Sequence, residues 1–168
     1  MSQQSTSSPI PAWANRAGRT ILKALRGPHA ANEAIERSLI TERIYRYGWA
    51  YDERDRSLFA DCFVENSVWE GSVMGDVAVG PFIGRDAIVA WNTDFWNVQT
   101  DQRRHIFTNV IIDDLSESSA VTHAYLLLTS SLDANMTPVT TAAYRIELAK
   151  EAESWRIKHL VSSFDAAF

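Results

Sequence analysis

The spacing of hydrophobic residues along the chain changes once, near residue 103. Before that point, apolar positions recur at helical intervals in residues 34–51 and again in residues 84–96. Between these two segments, a short helix is expected after Asp55, followed by strands at NSVWEG and at residues 77–83 that glycine turns separate. The first part of the chain is therefore predicted to be mainly helical, with a small β-segment in the middle.

After residue 103, apolar and polar residues alternate with a period of two. This alternation predicts four long strands in series, at residues 103–112, 120–132, 137–150 and 155–164. The connections DDLSES, DANM and EAES are short and polar, which favours antiparallel hairpins. Helices first and strands last predict an α+β domain, in which a curved antiparallel sheet wraps around the long N-terminal helix.

The N-terminal residues 1–32 differ from the body of the chain, residues 33–168. They contain four basic residues and no acid, so the body carries a net charge of −9 against −5 for the whole chain. The first dozen residues are polar and typical of a disordered tail. Residues 13–26 have the spacing of a short basic amphipathic helix, which could contact a membrane surface. We favour packing on the protein itself, because Gly18 weakens the helix and its apolar stripe is narrow.

The composition excludes several classes of function. The acidic balance and the absence of a basic stripe argue against nucleic-acid binding. A single cysteine, Cys62, leaves no intramolecular disulfide and indicates a reducing cytoplasm. No apolar run approaches the roughly 20 residues that span a bilayer. The sequence also has no glycine-rich phosphate loop, no nucleophile elbow and no metal-ligand spacing, so we expect no metal site, no nucleotide and no covalent acyl chemistry.

Two isolated residues could carry acid–base chemistry: Asp52 at the end of the first long helix, and His105 on the first long strand. A carboxylate that holds an imidazole in one tautomer turns it into a usable general base. Each residue also has a simpler interpretation. Asp52 falls at the edge of the apolar stripe, as a solvated helix-end residue would, and a strand histidine is commonly structural. The spacing alone leaves both interpretations open.

The neighbours of these residues suggest a pocket. Strand alternation puts His105, Phe107 and Asn109 on one face, and such a mixture is typical of an apolar pocket with a few polar contacts. Tyr47 and Tyr51 lie on the buried stripe of the helix, where core packing is the simplest role. A buried tyrosine hydroxyl nevertheless needs a partner, so Tyr47 is also a candidate proton donor.

Five motifs in order resemble the SnoaL-like branch of the NTF2-like superfamily. They are a helix ending in YxxxYD, then LFADCFVENSVWEG, GRDAIVAW, RRHIFTNV and SWRIKHL, and together they cover roughly residues 33–164. The resemblance implies an NTF2-like, cystatin-like cone. Within the superfamily, the chain is most similar to the group of scytalone dehydratase, bile-acid dehydratase and hexachlorocyclohexane dehydrochlorinase.

That group pairs an aspartate at the end of the first long helix with a histidine on the central sheet, inside a cone-shaped cavity. Asp52 and His105 match these two positions, so the resemblance favours the catalytic interpretation of both. Tyr47, five residues before the aspartate, matches the place of a further polar catalytic group, and Asn109 could help to bind substrate. The resemblance also implies no cofactor and a homo-oligomer, often a dimer or trimer.

The expected function is that of a cofactor-independent lyase, of the dehydratase or dehydrohalogenase type, acting on a small hydrophobic molecule. Phe107, Trp69 and Trp91 suggest that the substrate is aromatic or polycyclic. Two alternatives stay open. One is an isomerase or cyclase that uses the same pair of residues, and the other is a non-catalytic ligand-binding or assembly subunit, because this fold hosts all of these activities.

Overall fold

The computed structural model describes residues 22–24 and 31–168 of the chain. The predicted N-terminal tail, 1–32, and its basic amphipathic helix, 13–26, therefore lie largely outside the described residues. No helix in the described part of the chain is long and apolar enough to span a membrane.

The described residues form helices and strands in the order that the hydrophobic spacing predicts. These elements are α1 (Ala31–Asp52), α2 (Arg56–Asp61), β1 (Phe63–Val73), β2 (Val77–Ile83), α3 (Arg85–Val98), β3 (Gln102–Leu115), β4 (Ser119–Leu132), β5 (Asn135–Glu151) and β6 (Ser154–Phe164). The predicted α+β class is confirmed, and the ends of most elements lie within a few residues of their predicted positions.

All six strands belong to one open sheet, in the order β2-β1-β6-β5-β4-β3. The last four strands form consecutive antiparallel hairpins, as their short polar connections predict. The expectation of an entirely antiparallel sheet is wrong for one pair, because β1 and β6 run parallel, with Val68 opposite His159. The other strands lie between β1 and β6 in the chain, so no tight turn fixes their relative direction.

Helix α1 packs its middle against the sheet. Its buried apolar residues are Ile40, Ile44, Tyr47 and Ala50. The predicted apolar stripe begins earlier, but Ile35 is 63% exposed and Leu39 is 42% exposed. The N-terminal turns of α1 therefore lie at the surface, and burial begins about one turn later than the helical spacing suggests.

A glycine allows α1 to approach β3 closely. A Cβ atom at Gly48 would lie 3.2 Å from the Cβ of His105 and 3.2 Å from a ring carbon of Phe107. Glycine in a helix costs about 1 kcal/mol relative to alanine. Here the missing side chain lets the backbone of α1 lie directly over the strand that carries His105. The end of α1, one turn further on, is thereby brought to the same strand.

Glu36 connects α1 to the hairpin between β5 and β6. Its two carboxylate oxygens accept hydrogen bonds from Lys150 Nζ at 2.9 Å and from Trp155 Nε1 at 2.6 Å. These two donors, Lys150 first, lower the pKa of Glu36 from its ordinary value of 4.5. The contact holds the exposed first half of the helix to the far end of the sheet.

We expect Gly48→Val to lower the free energy of unfolding by about 1–3 kcal/mol, because the valine side chain overpacks the contact with β3. Urea denaturation measures this change. Ala34→Val is the matched control, since Ala34 is exposed on the same helix and its substitution should cost only about 0.5 kcal/mol. An unchanged stability of Gly48→Val would contradict the close approach.

The lowered pKa of Glu36 makes its contribution to stability depend on pH. The folded protein binds this proton less readily than the unfolded chain, so the contribution is present above pH 4.5 and is lost as the pH falls through the lowered folded value. We expect Glu36→Gln to lower the melting temperature more at pH 7 than at pH 3. Glu117→Gln, at an exposed position, should change it little at either pH. Equal effects of Glu36→Gln at the two pH values would contradict this account.

Candidate active site

Asp52 and His105 meet where the end of α1 lies against β3. Asp52 Oδ1 is 2.6 Å from His105 Nδ1, and Asp52 Oδ2 accepts the backbone N–H of His105 at 2.8 Å. Each of the two side chains is 7% exposed. The interpretation of Asp52 as a solvated helix-end residue is therefore wrong. The edge of the apolar stripe is buried at this point because β3 covers it.

The backbone at the end of α1 is held by a second contact. Gln102 Nε2 donates to the carbonyl oxygen of Asp52 at 2.9 Å and to the carbonyl oxygen of Arg103 at 2.9 Å. The last carbonyl groups of a helix have no partner within the helix. Gln102 supplies one, and it fixes the position of Asp52 relative to the strand.

The geometry determines which nitrogen of His105 is available. With Asp52 ionised, Nδ1 carries the proton and donates it to the carboxylate, which leaves the lone pair on Nε2. Among the described residues, no hydrogen bond reaches Nε2. The imidazole can therefore accept a proton at Nε2 while Asp52 holds its other side.

Tyr51 is the aromatic ring nearest to His105. The two ring centroids are 4.5 Å apart, at an interplanar angle of 56°. The helical spacing favours a core role for Tyr51, and the signal that points to this contact is its place directly before Asp52. Burial raises the pKa of Tyr51 to about 12. Its hydroxyl therefore stays protonated at neutral pH and can act as a hydrogen-bond donor.

Tyr47 lies deeper in the core than Tyr51. It is 3% exposed, and its ring centroid is 6.5 Å from that of His105. Its hydroxyl accepts the indole N–H of Trp69 at 3.4 Å. Burial raises the pKa of Tyr47, so this group also remains protonated. The hydroxyl is already engaged by a partner on the sheet.

The three aromatic residues predicted to line a pocket lie at increasing distances from the pair. Phe107 is 8% exposed and its ring contacts Tyr47 and His105, with centroids 6.0 Å and 6.4 Å away. Trp69 does not contact His105 directly; its indole N–H donates a hydrogen bond to Tyr47, which lies between them. Trp91 packs on Trp69 at 4.5 Å, one ring further out. Together the rings form a continuous apolar cluster beside the dyad, the pair formed by Asp52 and His105.

Asn109 does not lie on the face of His105, so this prediction is wrong. The pairing of β3 with β4 shifts between Thr108 and Ile111, and Asn109 has a left-handed backbone with φ of 52°. One extra residue in β3 interrupts the alternation. Beyond it, Val110 packs on the core, whereas Asn109 and Ile111 are exposed. The amide is therefore not brought to the dyad.

We expect Tyr47→Phe to lower the free energy of unfolding by about 1–3 kcal/mol, because it leaves the buried indole N–H of Trp69 without an acceptor. Thermal or urea unfolding measures the change. Tyr51→Phe is the matched variant and should cost less, since the hydroxyl of Tyr51 forms no hydrogen bond within the described part of the chain. Equal losses for the two variants would contradict the engagement of Tyr47 by Trp69.

Residues 32–161 match the family model described as a SnoaL-like domain. No curated protein matches the chain. Solved structures match over most of its length, and two are described as proteins with a cystatin-like fold, one of them as NTF2-like.

Three of the solved structures show the range of the fold. A Catenulispora acidiphila protein in complex with S-DNPA has 25% identity and a TM-score of 0.68, and the match covers 78% of this chain and 94% of that one. The other two are from Novosphingobium aromaticivorans. One, assigned as the beta subunit of an aromatic-ring-hydroxylating dioxygenase, has 12% identity and a TM-score of 0.71, with 82% and 94% covered. The other, assigned as a scytalone dehydratase, has 20% identity and a TM-score of 0.65, with 79% and 85% covered.

The family match covers more than half of the chain, and the element order and sheet agree with the fold of these structures. The expected fold class is therefore confirmed as NTF2-like. Sequence identities below 25% show that the fold is shared, and they do not show which activity the chain has. The chain belongs to the SnoaL-like domain family.

Proposed function

We propose that the protein is a cofactor-independent acid–base enzyme, a lyase of the dehydratase or dehydrohalogenase type. The observation that carries the proposal is the buried contact of 2.6 Å between Asp52 Oδ1 and His105 Nδ1. It leaves Nε2 as the basic atom, and the surrounding rings form an apolar environment. An aspartate that orients a histidine in this way supports general base catalysis.

In this mechanism, His105 Nε2 removes a proton from a carbon atom made acidic by a neighbouring carbonyl group or leaving group. The electron pair of the broken C–H bond forms a new double bond, and hydroxide or halide departs from the adjacent carbon. Asp52 stabilises the imidazolium that forms, and its charge matters because neither side chain is well solvated. A positioned base of this kind typically contributes about 10²–10⁴ in rate.

A departing hydroxide needs a proton, and two tyrosines could supply a donor. Tyr47 is the residue expected from the resemblance, but its hydroxyl already accepts the indole N–H of Trp69. Tyr51 lies closer to His105, at 4.5 Å against 6.5 Å between centroids. Tyr51 is therefore the better-placed donor, with Tyr47 behind it as a second hydrogen-bonding group.

The substrate proposed for this site is a small hydrophobic molecule with an aromatic or polycyclic frame. The support is the ring cluster beside the dyad, in which Phe107 is the nearest of the predicted lining residues, followed by Trp69 and Trp91.

We also propose a cytoplasmic homo-oligomer, a dimer or trimer. The buried free thiol of Cys62 supports a reducing compartment.

Two other functions have support. An isomerase or cyclase would begin with the same proton abstraction at His105 and differ only in where the proton returns. A non-catalytic assembly subunit is favoured by the structural likeness to the beta subunit assigned to a ring-hydroxylating dioxygenase, although that likeness, at 12% identity, concerns the fold.

The experiment that tests the proposal uses a simple bicyclic β-hydroxy ketone, 3-hydroxy-1-tetralone, in D₂O. Loss of water from this compound gives 1-naphthol, which is followed by absorbance, and exchange at the carbon next to the carbonyl is followed by NMR. We expect the wild-type protein to accelerate both. His105→Gln should reduce both to the background rate, and Asp52→Asn should slow them by about 10²–10⁴. If the rate of 1-naphthol formation did not change when the hydrogen next to the carbonyl is replaced by deuterium, a mechanism in which a base removes that hydrogen would be contradicted.

His159→Gln is the matched control for the histidine substitution. His159 pairs with Glu70 on the sheet, away from the dyad, at 3.0 Å. The His159→Gln variant should lose water and exchange deuterium at rates within about twofold of the wild-type rates, as surface substitutions usually have small effects. Exchange without loss of water would favour the isomerase or cyclase, and the absence of both reactions in the wild-type protein would favour the assembly subunit.

A further inference from the structure

Arg103 lies two residues before His105 on the same face of β3. The pairing with β4 is regular here, with Arg103 opposite Ser130 and His105 opposite Leu128, so the two side chains project from the same side of the strand. The side chain of Arg103 is 20% exposed. Arg104, between them, points to the other side and is 47% exposed. The side chain of Arg103 therefore leaves β3 on the same face as that of His105.

Asp101 holds the guanidinium in place. Arg103 Nε donates to Asp101 Oδ2 at 2.5 Å, and the hydroxyl of Ser130 donates to the same oxygen. The side chain of Arg54 also donates to the carbonyl oxygen of Asp101 at 2.9 Å. Burial would raise the pKa of Asp101, but the hydrogen bonds from Ser130 and Arg103 outweigh it, and the pKa is lowered. The carboxylate is therefore ionised at neutral pH, and the orientation of Arg103 is fixed through Nε.

Most of the hydrogen-bonding capacity of Arg103 is unused. Arginine has five N–H donors in a rigid fork, and four of them are on the two terminal nitrogens. Among the described residues, the side-chain hydrogen bond of Arg103 is the one made by Nε. A fixed cation with free donors on its outer end is thus suited to an oxygen atom of a ligand.

Tyr51 links Arg103 to the dyad. Burial raises the pKa of Tyr51, and the positive charge of Arg103 is the main influence that lowers it. The ring of Tyr51 is in turn 4.5 Å from that of His105. Residues two apart on a strand are separated by about 6.6 Å. One aromatic ring with a carbonyl substituent is long enough to reach both Arg103 and His105.

We infer that Arg103 binds a negatively charged or carbonyl oxygen of the substrate, and that this oxygen defines which substrates the site accepts. The catalytic part of this inference rests on the proposed function. When His105 Nε2 takes the proton, the C–H electron pair forms a carbon–carbon double bond and the π pair of the carbonyl group moves to its oxygen, which gives an enolate whose charge Arg103 binds. Return of the electron pair then expels the leaving group. The binding part holds whether or not the dyad performs chemistry.

The test measures binding of 2-naphthoate and 2-naphthamide, which have nearly the same shape and differ in charge, by calorimetry at pH 7. We expect the wild-type protein to bind the naphthoate at least about tenfold more tightly, as a charge-assisted bidentate contact allows. Arg103→Gln should remove this preference. Arg104→Gln, the adjacent arginine on the opposite side, should keep it. A preference retained in Arg103→Gln, or lost equally in Arg104→Gln, would overturn the inference.

Two further variants separate this inference from the proposed function. His105→Gln should keep the preference for the naphthoate, because the anchor is Arg103 and not the histidine. Loss of the preference in that variant alone would overturn the role of Arg103. Arg103→Lys preserves a positive charge near Asp101 if Arg103→Gln fails to fold, and it should weaken naphthoate binding at least about threefold because lysine lacks the planar fork. A wild-type protein that binds neither compound, or binds both equally, also counts against the inference.

Discussion

The contact between Asp52 and His105 is the constraint on which the arrangement of the site depends. It joins the end of α1 to β3 through two hydrogen bonds that a single carboxylate accepts from the ring and the backbone of one residue. A bond of this kind tolerates little change in the distance between helix and strand. Gly48, one turn earlier, allows that distance to be short because it places no side chain between α1 and β3.

The groups around the contact have different chemical characters on its two sides. On one side, Phe107 and Tyr47 continue into a cluster of aromatic rings that offers apolar surface and one engaged phenol. On the other side, two residues before His105, Arg103 forms an ion pair with Asp101. A molecule beside His105 would therefore have its apolar frame and its polar substituent directed to opposite ends. Such polarity orients a substrate before any proton moves.

The sequence predicted the elements well because hydrophobic spacing reports directly on local structure. The helix that ends at Asp52 and the strand that carries His105 both follow from it. The parallel pairing of β1 with β6 could not be predicted, since it joins segments far apart in the chain with no turn between them. The exposed position of Asn109 could not be predicted either. A single extra residue in β3 changes the face of every residue that follows until the next irregularity.

Arg103 shows a different limit of sequence reasoning. In the run of QRRH, two adjacent arginines look equivalent, and only the phase of the strand separates one that faces the dyad from one that faces outward. Tyr51 was recognised as buried, but its burial against an imidazole and not against aliphatic side chains depends on where β3 crosses the helix. Roles of this kind follow from contacts between elements, which spacing within one element does not contain.

Asp52 is the last residue of α1, and the last turn of that helix contains no basic residue. The aligned peptide dipoles of a helix place partial negative charge at its C-terminus, which disfavours a carboxylate there and favours a cation by typically about 0.3–1 kcal/mol. The field of α1 therefore acts on the two members of the dyad with opposite sign. It opposes an isolated aspartate and supports a positively charged imidazole, so the backbone of the helix itself favours the state that exists after His105 has accepted a proton.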